Sequence, residues 1–323
     1  MEISRLLDEI KPQLAQVEAE IISHLSTEIP LLNEVGRYIL SSGGKRLRPA
    51  IAIFASRMFL PSNGDVHKAA AALEYLHTAT LLHDDVVDQA DVRRSRKAAR
   101  VLWGNQASVL VGDYLLATAF RSLTLIGNLQ VLDTVSHATT LMAKGEILQL
   151  IRKFDTATEE DYLTIIIHKT ACLFGAAAQI GGALSGADEA HQQALYAYGN
   201  DLGIAFQIVD DALDYVEDRS KVGKPLGVDL KERKVTLPLS RLLQVATPAE
   251  KTALMEILRK DAIDDDDVLE VVGLMGQHDV LPYTLDEARK YAERGKRRLD
   301  GLHGTGDALP LALLADFVVE RDL

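Results

Sequence analysis

Apolar residues recur at three- and four-residue steps along almost the whole chain, and no stretch sustains period-two alternation. Leu6, Leu7, Ile10, Leu14, Val17 and Ile21 open the pattern and predict an amphipathic N-terminal helix. Only nine prolines fall in 323 residues, and the abundance of Ala and Leu favours helix. The breaks are local. Ser41-Ser42-Gly43-Gly44 stops one helix, Pro49 suits the first turn of the next, and 61–65 reads as a loop. Helices are expected from about His67 to Ala90, over 105–126 and 129–153 joined at Gly127-Asn128, and over 188–217. Thr158 with Asp161, and Thr247-Pro248-Ala249-Glu250, read as capped helix starts. The stretch 218–238 breaks the period and carries four lysines; a loop of that length is often functional. No linker composition divides the chain. The expectation is therefore all-α, a large antiparallel helical bundle forming a single domain over 1–323.

The net charge is −12, which argues against nucleic acid as a partner, since a duplex-binding chain carries a basic surplus. Cys172 is the only cysteine, so neither an intrachain disulfide nor a thiolate metal site is available. The start, MEISRLLDEIK, carries acids early and lacks a long apolar run, so it does not read as a signal peptide and the cytoplasm is the expected compartment. Thr170 to Ala187 is the most apolar stretch. Its Ala and Gly content, interrupted by Gln179, predicts a close-packed buried helix pair rather than a transmembrane segment.

Chemistry concentrates in two copies of one acidic motif, 126 positions apart: Asp84-Asp85-Val86-Val87-Asp88 and Asp210-Asp211-Ala212-Leu213-Asp214. Both follow apolar sequence. On a helix, Asp84 and Asp88 share one face, as do Asp210 and Asp214, while Asp85 lies about 100° round. Asp91 is expected to continue the first face by one turn. Like charges so close repel unless a cation neutralises them, and Mg²⁺ is a hard ion that bridges carboxylates to substrate phosphates. A third acidic run, Asp264 to Asp267, sits in polar sequence, and reads as a helix start and as structural.

Basic residues gather in three places. Lys45, Arg46 and Arg48 follow two glycines, a pattern suited to an anion. Lys169 sits beside Thr170 at the edge of the apolar helix. Lys221, Lys224, Lys231 and Lys234 lie in the loop after the second motif. Arg93 and Arg94 follow the first motif, and arginine forks bind phosphate oxygens. Singly, each reads most simply as a surface cation with a buried stem. His83, beside the acids, reads as structural or supporting.

Taken together, GGKRLRP, LLHDDVVD, the Arg93-Arg94 pair, Gly145-Glu146, Lys169-Thr170-Ala171, FQIVDDALD and GKPLGVDL resemble the trans-type isoprenyl diphosphate synthases, in order and over nearly the whole chain. Within that family the chain is most similar to the bacterial octaprenyl type, through HTATLLHDDVVD, NQASVLVGDYLLA and GEILQL. The resemblance implies the isoprenoid synthase fold, an all-α bundle around a central cavity. It implies a Mg²⁺-dependent condensation of an allylic diphosphate, farnesyl diphosphate, with successive isopentenyl diphosphates, for a quinone side chain. It implies three Mg²⁺ ions per site with substrate bound, held by Asp84, Asp88 and Asp210, with Asp85, Asp211 and Asp214 supporting. Lys45, Arg48, His77 and Arg94 match the isopentenyl diphosphate site. Arg93, Lys169, Thr170, Gln207 and Lys224 match contacts to the allylic substrate, and Lys234 a further family lysine. Ser95 departs from the family, where glycine commonly follows the arginine pair. A homodimer is the family expectation, with no transmembrane segment and with a product that passes to membrane enzymes.

The growing chain would run beside the first motif's helix. Thr80 and Ala79, four and five positions before Asp84, are small where short-chain members carry aromatics, and Leu76 lies deeper on about the same side. The floor is expected near His137, Leu141 and Met142. The alternatives are a farnesyl or geranylgeranyl synthase, a terpene cyclase, and a non-catalytic subunit of a heteromeric synthase. Ala79 and Thr80 argue against the first, and the intact second acidic motif with Lys45 and Arg48 against the second. The six retained acids argue against the third.

Overall fold

The computed structural model describes residues 3–40, 46–60, 63–93, 96–152, 158–216, 226–300, 302 and 306–320. Among these the chain is helical almost throughout, as the period requires. The one sheet among the described residues is a hairpin of two-residue strands, β1 (Val92–Arg93) and β2 (Arg96–Lys97), with Arg93 opposite Arg96. Contacts group the chain into two compact units, 1–139 with 173–199 and 298–313, and 140–172 with 200–297 and 314–323. All five boundaries fall inside helices rather than in linkers.

The first unit begins with α1 (Ile3–Glu9) and α2 (Lys11–Ser23), where the sequence predicts one helix. Pro12 lies in the first turn of α2 and supplies no N–H, so the helix restarts there. The apolar stripe survives the break, with Leu6, Ile10, Val17 and Ile21 all buried. After α3 (Pro30–Leu40) and α4 (Leu47–Arg57), α5 (Gly64–Val87) packs along α2, α4 and α6 (Ala99–Ile126). Asn63 caps α5, its side chain accepting from the backbone N–H groups of Asp65 and Val66. Within α6, Gly104 takes φ 85°, a kink that leaves the regular helix starting at Asn105 as the period predicts. The helix α7 (Leu129–Ile151) follows.

The predicted close-packed pairing holds. In α9 (Cys172–Ala183), Gly181 lies against the backbone of Ala52 in α4. In α10 (Glu189–Leu213), Gly199 lies against the backbone of Phe174. A Cβ at either position would overlap a neighbouring carbonyl group. Two helical stretches, Ala99–Ile126 and Glu159–Ala183, are long and apolar enough to cross a membrane by length and composition. The second is 67% buried, as a core helix is, and the first 39%.

In the second unit, α8 (Glu159–Ile166) starts from a capping box in which Thr158 and Asp161 bond reciprocally, as predicted. It runs into a π turn (Ile167–Ala171) before α9. Tyr162, Ile166, Ala171, Ile208, Val209 and Leu213 form the core beneath the second acidic motif. Beyond it come α11 (Val228–Lys231), α12 (Leu237–Val245), α13 (Pro248–Arg259), α14 (Asp265–Gln277), α15 (Val280–Leu299) and α16 (Leu309–Glu320). Capping boxes open α13 at Thr247 and Glu250, and α14 at Asp264 and Asp267. The third acidic run is thus a helix start, with Asp267 further neutralised by Lys260 at 2.5 Å.

Candidate active site

The first motif ends α5. Asp84 and Asp88 are half-buried, and Asp85, turned toward the interior, is fully buried. The α5 axis points its carbonyl end at these acids, which is the unfavourable end of the helix dipole for an anion. Arg93, delivered by the hairpin, answers this. Its Nε donates to Asp85 Oδ1 at 2.7 Å, and a guanidinium nitrogen stands 2.6 Å from the same oxygen. Burial pushes the Asp85 carboxyl up, and Arg93, with a smaller contribution from Arg100, pulls it back. Asp85 Oδ2 is buried with no hydrogen-bond partner. A motif whose first and third acids are half-exposed, with the second braced inside, fits a cation bound at its outer face. Among the described residues no three Asp, Glu, His or Cys side chains are gathered to hold a metal by themselves. Mg²⁺ needs no such cage, because it takes one or two carboxylates and completes its shell with water and phosphate.

Asp91 does not continue the helix. Gln89, at φ 52°, turns the chain, and Asp91 pairs with Arg100 at 2.9 Å. Arg46 is likewise not available to an anion as its position in the sequence suggests. Its guanidinium pairs with buried Glu74 at 2.6 Å and donates to the Leu40 carbonyl at 3.0 Å, tying the end of α3 to α5. Arg48 lies over the Phe174 ring, 4.7 Å from its centroid. His77 is half-buried on α5, seven residues before Asp84 and on the same face. His83 stacks against Gly112, where a Cβ would collide with its ring, and its Nε2 stands 3.2 Å from the Val109 carbonyl. Lys45, Arg94 and Lys224 lie outside the described residues.

The second motif repeats the division of labour within its own unit. Asp210 is exposed, Asp214 half-buried and Asp211 buried. Asp211 accepts from the Tyr162 hydroxyl at 2.7 Å and from Gln207 Nε2 at 2.7 Å. The Thr170 hydroxyl then donates to Gln207 Oε1 at 2.9 Å. Burial pushes the Asp211 carboxyl up to about 7. Burial also drives Tyr162 upward, so its phenol stays protonated and remains a donor. Asp214 Oδ2 accepts from the backbone N–H of Asp229 at 2.9 Å, which ties α11 to the second motif. Lys234 pairs with Glu232 and stands 3.9 Å from Asp229.

The pair Gly145-Glu146 acquires a physical reason here. Gly145 brings α7 so close to the π turn that a Cβ would meet the Lys169 amide nitrogen at 2.7 Å. Glu146 then pairs with Lys169 Nζ at 2.7 Å, and Gln149 accepts from it at 3.3 Å. A π turn carries one extra residue per hydrogen-bonded ring and recurs at functional sites. Here it carries both Lys169 and Thr170.

Residues 29–275 match the polyprenyl synthetase family. The chain is 40% identical to octaprenyl diphosphate synthase of Escherichia coli over 328 residues, covering all of both chains. The chain belongs to the polyprenyl synthetase family. It is an enzyme of the trans-polyprenyl diphosphate synthase class. Its fold is similar to that of a decaprenyl diphosphate synthase from Rhodobacter capsulatus, with a TM-score of 0.92, 40% identity and 98% of each chain covered. It is similar also to a polyprenyl synthase from Caulobacter crescentus complexed with calcium and isoprenyl diphosphate, with a TM-score of 0.94 and 36% identity. That match covers 100% of this chain and 98% of the other. Sequence reasoning about this polyprenyl synthase singled out the acids but missed Tyr162 and Arg100, whose roles depend on contacts 49 and 10 positions away along the chain.

Proposed function

We propose that this polyprenyl synthase extends farnesyl diphosphate with successive isopentenyl diphosphates to an all-trans product of octaprenyl length, used as a quinone side chain. One observation carries the reading. In both acidic motifs the second acid is braced inside the protein, and the first and third stand nearer the surface. That division suits acids that bind a cation on one side and are oriented from the other. On this reading Asp84, Asp88 and Asp210 hold Mg²⁺, three ions with substrate bound, and Asp85, Asp211 and Asp214 support them. When bound, Mg²⁺ would supply the charge that stabilises the departing diphosphate.

The chain's own cations divide between two anions. Lys45, Arg48, His77 and Arg94 hold isopentenyl diphosphate. Arg93, Lys169, Thr170, Gln207 and Lys224 hold the allylic diphosphate, with Lys234 nearby. The allylic carbon–oxygen bond breaks, the isopentenyl double bond attacks the cation, and the released diphosphate takes the proton lost. The product then grows beside α5, past Ala79 and Leu76, which are buried, and Thr80, whose hydroxyl bonds back to the His77 carbonyl. Leu141 and Met142 form the floor. Relatives at equal identity are named for octaprenyl and decaprenyl products, so identity alone does not select the length. The small side chains at 79 and 80 favour a long one.

We read 1–323 as one catalytic domain, supported by unit boundaries that all lie within helices. A homodimer is supported by α6, where Val109 and Leu110 are exposed side by side. The enzyme works in the cytoplasm and passes its product to membrane enzymes. The test is elongation of farnesyl diphosphate with labelled isopentenyl diphosphate and Mg²⁺, followed by sizing of the dephosphorylated products. Octaprenyl alcohol is expected; a product of three or four isoprene units would overturn the length, and no elongation would overturn the activity.

A further inference from the structure

The end of α5 is closed by a Schellman turn made without glycine. The Gln89 N–H donates to the Val86 carbonyl, and the Ala90 N–H to the Asp85 carbonyl at 3.0 Å. Gln89 sits at φ 52°, a conformation that costs a residue with a Cβ and that glycine would adopt freely. Three acids crowd the same turn at the negative end of the helix dipole. These penalties call for an offset.

Arg100, on the first turn of α6, supplies one from outside. Its Nε donates to the Ala90 carbonyl at 2.8 Å, and its Nη2 donates to the Gln89 carbonyl and pairs with Asp91 at 2.9 Å. One planar fork thus holds three consecutive residues. The same residues are the root of the hairpin: the Ala98 N–H donates to the Asp91 carbonyl at 2.8 Å, and the hairpin carries Arg93 to Asp85. We infer that Arg100 is a positioning residue for the first acidic motif, locking the strained turn at Gln89 and, through the hairpin root, the Arg93 that orients Asp85.

The inference rests on the reading of Asp84 and Asp88 as Mg²⁺ ligands, and the test separates the two. Wild type, Arg100→Gln, Arg100→Lys, Gln89→Gly and the Gln89→Gly/Arg100→Gln double variant are compared by two measurements. One is the Mg²⁺ concentration giving half-maximal elongation. The other is the rise in melting temperature on adding Mg²⁺ with inorganic pyrophosphate. Arg100→Gln is expected to raise the half-maximal Mg²⁺ about tenfold and to diminish the Mg²⁺-dependent melting shift, as loss of a supporting contact does at metal sites. Arg100→Lys keeps the charge but not the fork and should follow Arg100→Gln. In the Gln89→Gly background, where the turn needs no brace, the effect of Arg100→Gln should shrink to within about threefold of wild type. A lower melting temperature with an unchanged Mg²⁺ requirement would overturn the inference, as would a lysine variant equal to wild type or an undiminished effect in the glycine background. Wild type without any Mg²⁺ response would instead overturn the reading of the acids.

Discussion

Asp211 concentrates the conflict that burying a carboxylate among other carboxylates creates. It is buried, has Asp210 and Asp214 as neighbouring charges, and is held by Tyr162 and Gln207. Its carboxyl is raised from 3.8 to about 7, so between those values the folded protein binds a proton that the unfolded chain has lost. Its contribution to stability is therefore full below about pH 4 and is lost as the pH rises through 7. Asp211→Asn removes this titration. Relative to wild type, the metal-free Asn variant is expected to gain stability from pH 4 to 7 and to level off above. The ceiling is roughly 4 kcal/mol, from about 1.4 kcal/mol per unit. Denaturant unfolding without divalent metal, at pH 5 and pH 8, measures it. A stability difference independent of pH would mean that Asp211 is ionised throughout.

At the scale of elements, α7 and the π turn form one device. The close approach at Gly145 leaves no room for a methyl group against the Lys169 backbone, and Glu146 on the next residue takes the lysine's charge. Gly145→Ala should push the π turn aside, with an overpacking cost of about 1–3 kcal/mol. Because a displacement of about 1 Å at a reacting group can cost about 100-fold, the loss in kcat/KM for the allylic substrate should exceed what the stability change explains. Steady-state kinetics at a temperature well below melting check this. Activity within twofold of wild type would mean that α7 does not set the position of Lys169.

At the scale of the molecule, product length is the property that no single element owns. On the proposed path it depends on how far a growing chain runs beside α5 before meeting a wall. Ala79→Phe places a ring one helical turn below the acidic motif, on a residue that is 2% exposed. The expected outcome is a shorter product distribution with primer binding intact, read by sizing the dephosphorylated alcohols. Full-length product from a folded Ala79→Phe enzyme would place the path elsewhere.

The helical class, the capped starts at Thr158, Thr247 and Asp264, and the pairing of Ala- and Gly-rich helices follow from period and local chemistry, and these are written in the sequence. So is the angular separation of Asp85 and Asp211 from their neighbours, since about 100° per residue is a property of any helix. What lies at that angle is not. The burial of Asp85 and Asp211, the partners Arg93 and Tyr162, the diversion of Arg46 to Glu74, and the brace that Arg100 applies to Gln89 all join residues distant in the chain. Local sequence sets which groups a helix presents; only packing against other helices decides which of them are neutralised inside and which are left to meet a ligand.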